Sequence, residues 1–282
     1  MAGATIKLFL PTGEAQSLRV VEISNWSGLA VAAPRTELDS LLKRPELDKP
    51  GVYLLIGTDP KTDRPAAYVG EAEVVRDRLR QHGGKEFWVQ AILFVSQGEN
   101  LTKSHIRYLE GQIIEEATRI GRFLILNAQS SGARLPESDQ GDMEVFLGRI
   151  RQLLPVLGCD ILVPVVQTSK DKASQELVCT IKGLTARGQR SPQGFVVFKG
   201  SEASLNLRPS AQERAAWVIG LRDKLLQNKV LVAEDDRLRF AQDFEFSSPS
   251  AAAAIIHGGH ANGLTAWKTA DGKTLKELEV TV

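Results

Sequence analysis

The chain has 282 residues, 43% of them hydrophobic and 24% charged, an ordinary globular composition; at about 150 residues per domain it predicts two domains. A net charge of +1 excludes bulk attraction to phosphate, so any grip on nucleic acid has to come from local basic patches. Cys159 and Cys179 lack metal-ligand spacing and exclude a disulfide scaffold, and no apolar run nears the roughly 18 residues of a membrane span, so buried thiols and a cytoplasmic protein without export signal or anchor are expected.

From the N-terminus, Ile6, Leu8 and Leu10 alternate along a strand, Pro11-Thr12-Gly13 turns, and Arg19 to Ile23 returns as the second strand of a hairpin. Leu29 to Ala33 predicts a third strand. Thr36 and Asp39 form a loose capping box before a short helix of Leu38, Leu41 and Leu42, which Pro45 ends. Gly51 to Ile56 and Ala66 to Val69 are β-prone runs around a loop of Gly, Asp and Pro, a second hairpin. The helix that follows carries Val75 and Leu79 on one stripe and Val74, Arg78 and His82 on the next.

Phe87 to Val95 supplies another strand, and Lys103 to Ile120 a helix whose Ile106, Leu109, Ile113, Ile114, Ala117 and Ile120 share one arc. Glu110 lies inside that arc. A carboxylate there costs several kcal/mol unless a metal ion, an arginine such as Arg78 or Arg107, or a set of donors meets it. Arg122 to Leu126 predicts a strand that delivers Asn127, whose amide can donate and accept.

Met143 to Leu154 reads as a helix with a broad apolar face, and the polar run from Thr168 to Gln175 as a linker. Beyond it, Leu177 to Ile181 and Gly194 to Lys199 are β-rich runs expected to pair across the residues between them. The span from Lys182 to Lys199 holds Arg187 and Arg190 and no acid, so it is expected either as a solvated loop or as a phosphate-contacting arm. A helix from Ser210 to Gln227, strands at Val230 to Val232 and Leu238 to Phe240, and an alanine-rich helix after Ser248-Pro249 complete the chain. His257-Gly258-Gly259-His260 reads as the end of that helix rather than a metal pair. The expected layout is a hairpin and short helix at 1–48, a core at 49–135, a helical segment and linker at 136–175, and a second domain at 176–282.

Gly51-Val52-Tyr53 and Tyr68-Val69-Gly70, followed in order by Arg78, His82, Glu110 and Asn127, resemble the signature of the GIY-YIG nuclease family. Val stands for the middle Ile in both tripeptides, and the loop between them is long. The resemblance implies an α+β fold: a small, mainly antiparallel three-stranded sheet flanked by helices, here with an N-terminal β extension and a second α+β domain. It implies metal-dependent hydrolysis of phosphodiester bonds in nucleic acid, DNA foremost, with one Mg²⁺ or Mn²⁺ on Glu110 and Arg78 on the phosphate. Tyr53 and Tyr68 would surround the nucleophile and Asn127 support them, with Tyr53 the preferred general base and His82 its proton acceptor or substitute. Arg76, Arg80 and Lys85 beside the site, and Arg187 and Arg190 in the second domain, are the expected nucleic-acid contacts. The alternative is a catalytically inactive module on the same fold that binds nucleic acid or a partner, with a structural Glu110–Arg78 pair. Asn262-Gly263, Trp267-Lys268 and Asp271 to Leu275 resemble an uncharacterised C-terminal domain that often accompanies such nucleases, over roughly the last sixty residues. A protein partner through that domain fits the same picture.

Overall fold

The computed structural model describes residues 3–98, 100–127, 132–165, 176–208, 211 and 215–280. The chain is α+β and divides into two compact units, Met1–Val163 and Pro164–Val282. The expected linker falls on residues outside those described.

The first unit runs β1 (Ile6–Phe9), β2 (Arg19–Ile23), β3 (Gly28–Pro34), a 3-10 turn at Arg35–Glu37, α1 (Leu38–Leu41) and a second such turn at Pro45–Asp48. It continues with β4 (Gly51–Thr58), β5 (Pro65–Ala72), α2 (Val75–His82), β6 (Trp88–Ser96), α3 (Lys103–Ile120), β7 (Leu124–Ile125) and α4 (Glu137–Val156). The strands form one sheet in the order β1-β2-β3-β6-β4-β5-β7, antiparallel except where β7 joins β5. The expected three strands, β4, β5 and β6, are therefore part of a seven-stranded sheet, and the N-terminal strands extend it. The reason lies in β6, which is buried along most of its length: its far-edge backbone groups need partners. β3 supplies them from Gly28 opposite Ser96 to Pro34 opposite Gln90.

Period-two alternation along β4 sends side chains into two cores. Val52, Leu54 and Ile56 join Ile92 and Phe94 beneath α3 and α4. Tyr53 and Leu55 join Leu93 and Val95 beneath Val75 and Leu79 of α2, with Leu41, Leu47 and Trp88 closing that face. Thr36 does not cap α1; Glu37 instead turns back to accept from the Ser17 hydroxyl (2.7 Å) and the Leu18 amide (3.1 Å). The α4 helix is longer than its apolar face predicts, because Pro136 can stand at the N-cap and Pro155 comes only in the last turn.

The second unit has β8 (Leu177–Ile181), β9 (Leu184–Ser191), β10 (Gly194–Val197), β11 (Glu202–Ser204), a helix at Ala216–Gln227, β12 (Leu231–Glu234), β13 (Arg237–Phe240) and β14 (Phe244–Phe246). Helices at Pro249–His257, Gly263–Ala266 and Leu275–Val280 follow. Two sheets, β14-β10-β9-β8 and β11-β13-β12, share one core around Trp267, Phe195 and Phe240. The two predicted β-runs, β8 and β10, do not pair with each other; the segment read as a loop between them is β9, which pairs with both. Its Thr, Arg, Gly and Gln residues give no apolar alternation, since β9 buries Ala186, Gly188 and Gln189 rather than large side chains. The helix predicted from Ser210 begins at Ala216; residues 209–210 and 212–214 are not among those described.

Candidate active site

Tyr53 of β4 lies opposite Gly70 of β5, and two residues along, Leu55 lies opposite Tyr68. Both tyrosines thus leave the sheet on the α2 face, with ring centroids 6.2 Å apart and planes 22° from parallel. The glycines have a steric reason. A Cβ on Gly70 would stand 2.4 Å from the Tyr53 oxygen, and one on Gly51 would stand 2.5 Å from the Phe94 carbonyl. Each glycine leaves room for a group that a side chain would displace.

His82, the last residue of α2, completes the cluster. Its ring centroid is 4.7 Å from that of Tyr68 and 5.7 Å from that of Tyr53, and the Tyr53 oxygen is 2.9 Å from Nε2. Tyr53 is fully buried, and burial first, then the neighbouring Tyr68, push its phenol far above the usual range. Burial, with Lys85 and Arg78 adding to it, depresses His82 to about 4. At neutral pH both are uncharged, and the Tyr53 oxygen is hydrogen-bonded both to Nε2 and to Tyr68. The other ring nitrogen, Nδ1, is buried and without a partner among the described residues. The His82 carbonyl accepts from the Lys85 amide (3.0 Å) and from Trp88 Nε1 (3.1 Å), which fixes the end of the helix.

The cations around α2 differ in what they face. Arg76 is bound to Asp48 (2.6 Å) and to the Arg44 carbonyl (3.0 Å), and Arg80 to Asp77 (3.4 Å). Arg78 is exposed and donates to Gln81 on its own helix (3.0 Å). The Lys85 ammonium stands over the Tyr68 ring, 4.6 Å from its centroid. Of the three residues expected as a basic patch, only Lys85 is brought to the tyrosines.

Glu110 is half-buried on α3, which packs beside β5. Burial, then the Glu71 carboxylate, raise its carboxyl to about 6; Arg107, the Glu71 backbone amide and Arg78 act in the opposite sense. Among the described residues it has no ion pair, so the structural pair with Arg78 or Arg107 is not formed. Asn127 acts on the backbone: its Oδ1 accepts from the Val69 amide (3.1 Å) and its Nδ2 donates to the Val69 carbonyl. It extends the β7–β5 pairing and clasps the residue between Tyr68 and Gly70.

A divalent ion at this place would have Glu110, with Glu71 beside it, as its donors. Among the described residues no three His, Cys, Asp or Glu side chains converge, which is not the cage of a structural metal. Mg²⁺ keeps much of its water and is commonly held by one or two carboxylates plus substrate phosphate, and Glu110 is an unpaired carboxylate with Glu71 beside it. Glu71 was legible only as the residue after Gly70, with nothing in its spacing to mark it.

In the second unit, Arg187 lies 3.7 Å from Glu176 and Arg190 forms an ion pair with Glu279. The span that is free of acids in sequence is not free of them in space. Cys179 Sγ lies 3.3 Å from His257 Nε2, whose Nδ1 faces Arg208 (2.9 Å). The arrangement is that of a nucleophile pair, but burial pushes the Cys179 thiol up to about 12, which leaves it protonated. Cys159 is buried as well. His257 ends its helix, and Gly258 follows at φ 68°, as the Gly-rich ending predicts. No helix among the described residues is long and apolar enough to cross a membrane.

Residues 177–279 match a family described as Domain of unknown function (DUF4357), over a longer stretch than the last sixty residues anticipated. No match was found among curated proteins or among solved structures.

Proposed function

We propose that the first unit is a metal-dependent endonuclease of the GIY-YIG type, hydrolysing phosphodiester bonds of nucleic acid, DNA foremost, with one divalent ion. The observation that carries this reading is the convergence of Tyr53, Tyr68 and His82 on one face. The unpaired Glu110, within electrostatic reach of Tyr53 and Arg78, supports it. Mg²⁺ or Mn²⁺ on Glu110 would supply the Lewis acid that polarises the phosphoryl oxygen and stabilises the leaving 3′ oxygen. Arg78, exposed and without a carboxylate partner among the described residues, presents its planar fork to the non-bridging oxygens.

The base is assigned differently from the sequence reading. Tyr53 is fully buried, its phenol is pushed up by burial, and its oxygen is hydrogen-bonded to His82 and to Tyr68, which leaves it closed to solvent. Tyr68 is the phenol that reaches solvent. As the neutral phenol it orients the attacking water, and in its phenolate form it takes the proton from that water and becomes the phenol again, while the neutral Tyr53–His82 pair supports its ring from beneath. In this reading the second unit engages a protein partner, since Arg187 and Arg190 stand against Glu176 and Glu279.

The test is a panel of labelled DNA and RNA forms with Mg²⁺, Mn²⁺ or chelator. Tyr68→Phe is expected to lower turnover about 100-fold or more with little change in stability. Tyr53→Phe strands the buried His82 nitrogen and is expected to cost about 1–2 kcal/mol of stability, with a smaller loss of turnover. Wild-type turnover in Tyr68→Phe would remove that residue from the mechanism, and no cleavage of any form with either metal would end the nuclease reading.

A further inference from the structure

We infer that Lys85 and Arg78 form a two-cation clamp on the substrate phosphate, and that Arg35 of the N-terminal extension positions Lys85 for it. The inference rests on the nuclease reading of the same site. It begins from a contrast among four cations on and after α2. Arg76 and Arg80 stand against Asp48 and Asp77, whereas Arg78 and Lys85 have no carboxylate within salt-bridge distance among the described residues. Both uncompensated cations act on His82, and Lys85 stands over the Tyr68 ring. An ammonium over an aromatic face is attracted by the ring and keeps N–H donors for an anion in front of it.

Lys85 is exposed and, among the described residues, its side chain has no hydrogen bond to hold it; its backbone is held instead. The Arg35 guanidinium donates to the carbonyls of Gly83 (2.9 Å), Lys85 and Trp88 (3.4 Å), and its Cζ lies 4.9 Å over the Trp88 ring. One residue that follows β3 thus spans the whole connection between α2 and β6. Only a planar fork with several donors makes that span, so lysine is not a substitute at position 35. The N-terminal extension therefore has a second task beyond pairing with β6: it fixes the loop that places a cation at the site.

The experiment measures steady-state cleavage by the full chain with Mn²⁺ and binding of a short fluorescent DNA duplex in chelator. Lys85→Met should lower kcat/KM about tenfold or more and weaken binding, and Lys85→Arg should stay within about threefold of wild type. Arg35→Gln and Arg35→Lys should reproduce the Lys85→Met loss. Adding Arg35→Gln to Lys85→Met should then change little, because the first acts through the second. Additive losses would overturn the positioning role of Arg35. If wild type cleaves and Lys85→Met matches it, the clamp is wrong and the nuclease reading stands. If wild type binds without cleaving and Lys85→Met binds more weakly, hydrolysis is wrong and the clamp stands. If wild type neither cleaves nor binds, both fall.

Discussion

An ionised carboxylate that is half-buried and unpaired lowers stability, and Glu110 is in that state at neutral pH. Its carboxyl titrates near 6 in the folded chain, against 4.5 for an unperturbed one. Between those values the folded state holds more protons than the unfolded, so stability falls as pH rises through that window and is lowest above it. In chelator at about pH 8, Glu110→Gln should therefore be more stable than wild type by on the order of 1 kcal/mol, discounted for partial exposure to solvent. The gain should vanish near pH 4, and Mn²⁺ should stabilise the wild type alone. Melting curves across that range decide the matter; a variant destabilised at every pH would mean that the carboxylate has a structural partner. Residue types along α3 make Glu110 conspicuous, but that no arginine among the described residues forms an ion pair with it is visible only once Arg78 is seen bonded to Gln81.

At the level of elements, α3 carries Glu110 and depends on its first turn. Thr102 accepts from the His105 amide (3.4 Å) while His105 Nδ1 accepts from the Thr102 amide (3.3 Å), a reciprocal box with histidine in place of the usual acid or amide. His105 Nε2 also reaches Asp139 of α4 (3.3 Å). Thr102→Ala should cost the first unit about 1 kcal/mol, with Thr102→Ser retaining most of it. An unchanged urea midpoint in Thr102→Ala would show that packing alone holds the helix start. The sequence places this helix well because its apolar period is complete. It hides β9 because that strand is specified by its turn: Lys182 at φ 49° and Gly183 at φ 85° join Ile181 to Leu184 in a two-residue connection.

At the scale of the molecule, each unit has its own core, one on the two faces of the seven-stranded sheet and one around Trp267. Two unfolding transitions are expected from the full chain, and one from residues 1–163 expressed alone. Each phosphate neutralised on duplex DNA adds about 0.9 to the log–log salt slope of binding. Arg187 and Arg190 stand against Glu176 and Glu279, so removing the second unit should leave that slope unchanged. A slope shallower in the separate unit by about one or more would assign phosphate contacts to the second unit.

Periodicity and residue type by themselves determined most strands and helices, because these are local properties of the chain, while Tyr53, Tyr68, Arg78, His82, Glu110 and Asn127 stood out as a set only through a resemblance to a family signature. Only the tertiary structure decided what each of them faces. Sheet register put Tyr53 against Gly70 and buried it, while Tyr68 stays partly exposed. Residues distant in sequence brought acids to Arg187 and Arg190, and carried Arg35 to the loop of Lys85. A charge can be read from a sequence, but its partner and its exposure are set by which surfaces the fold brings together.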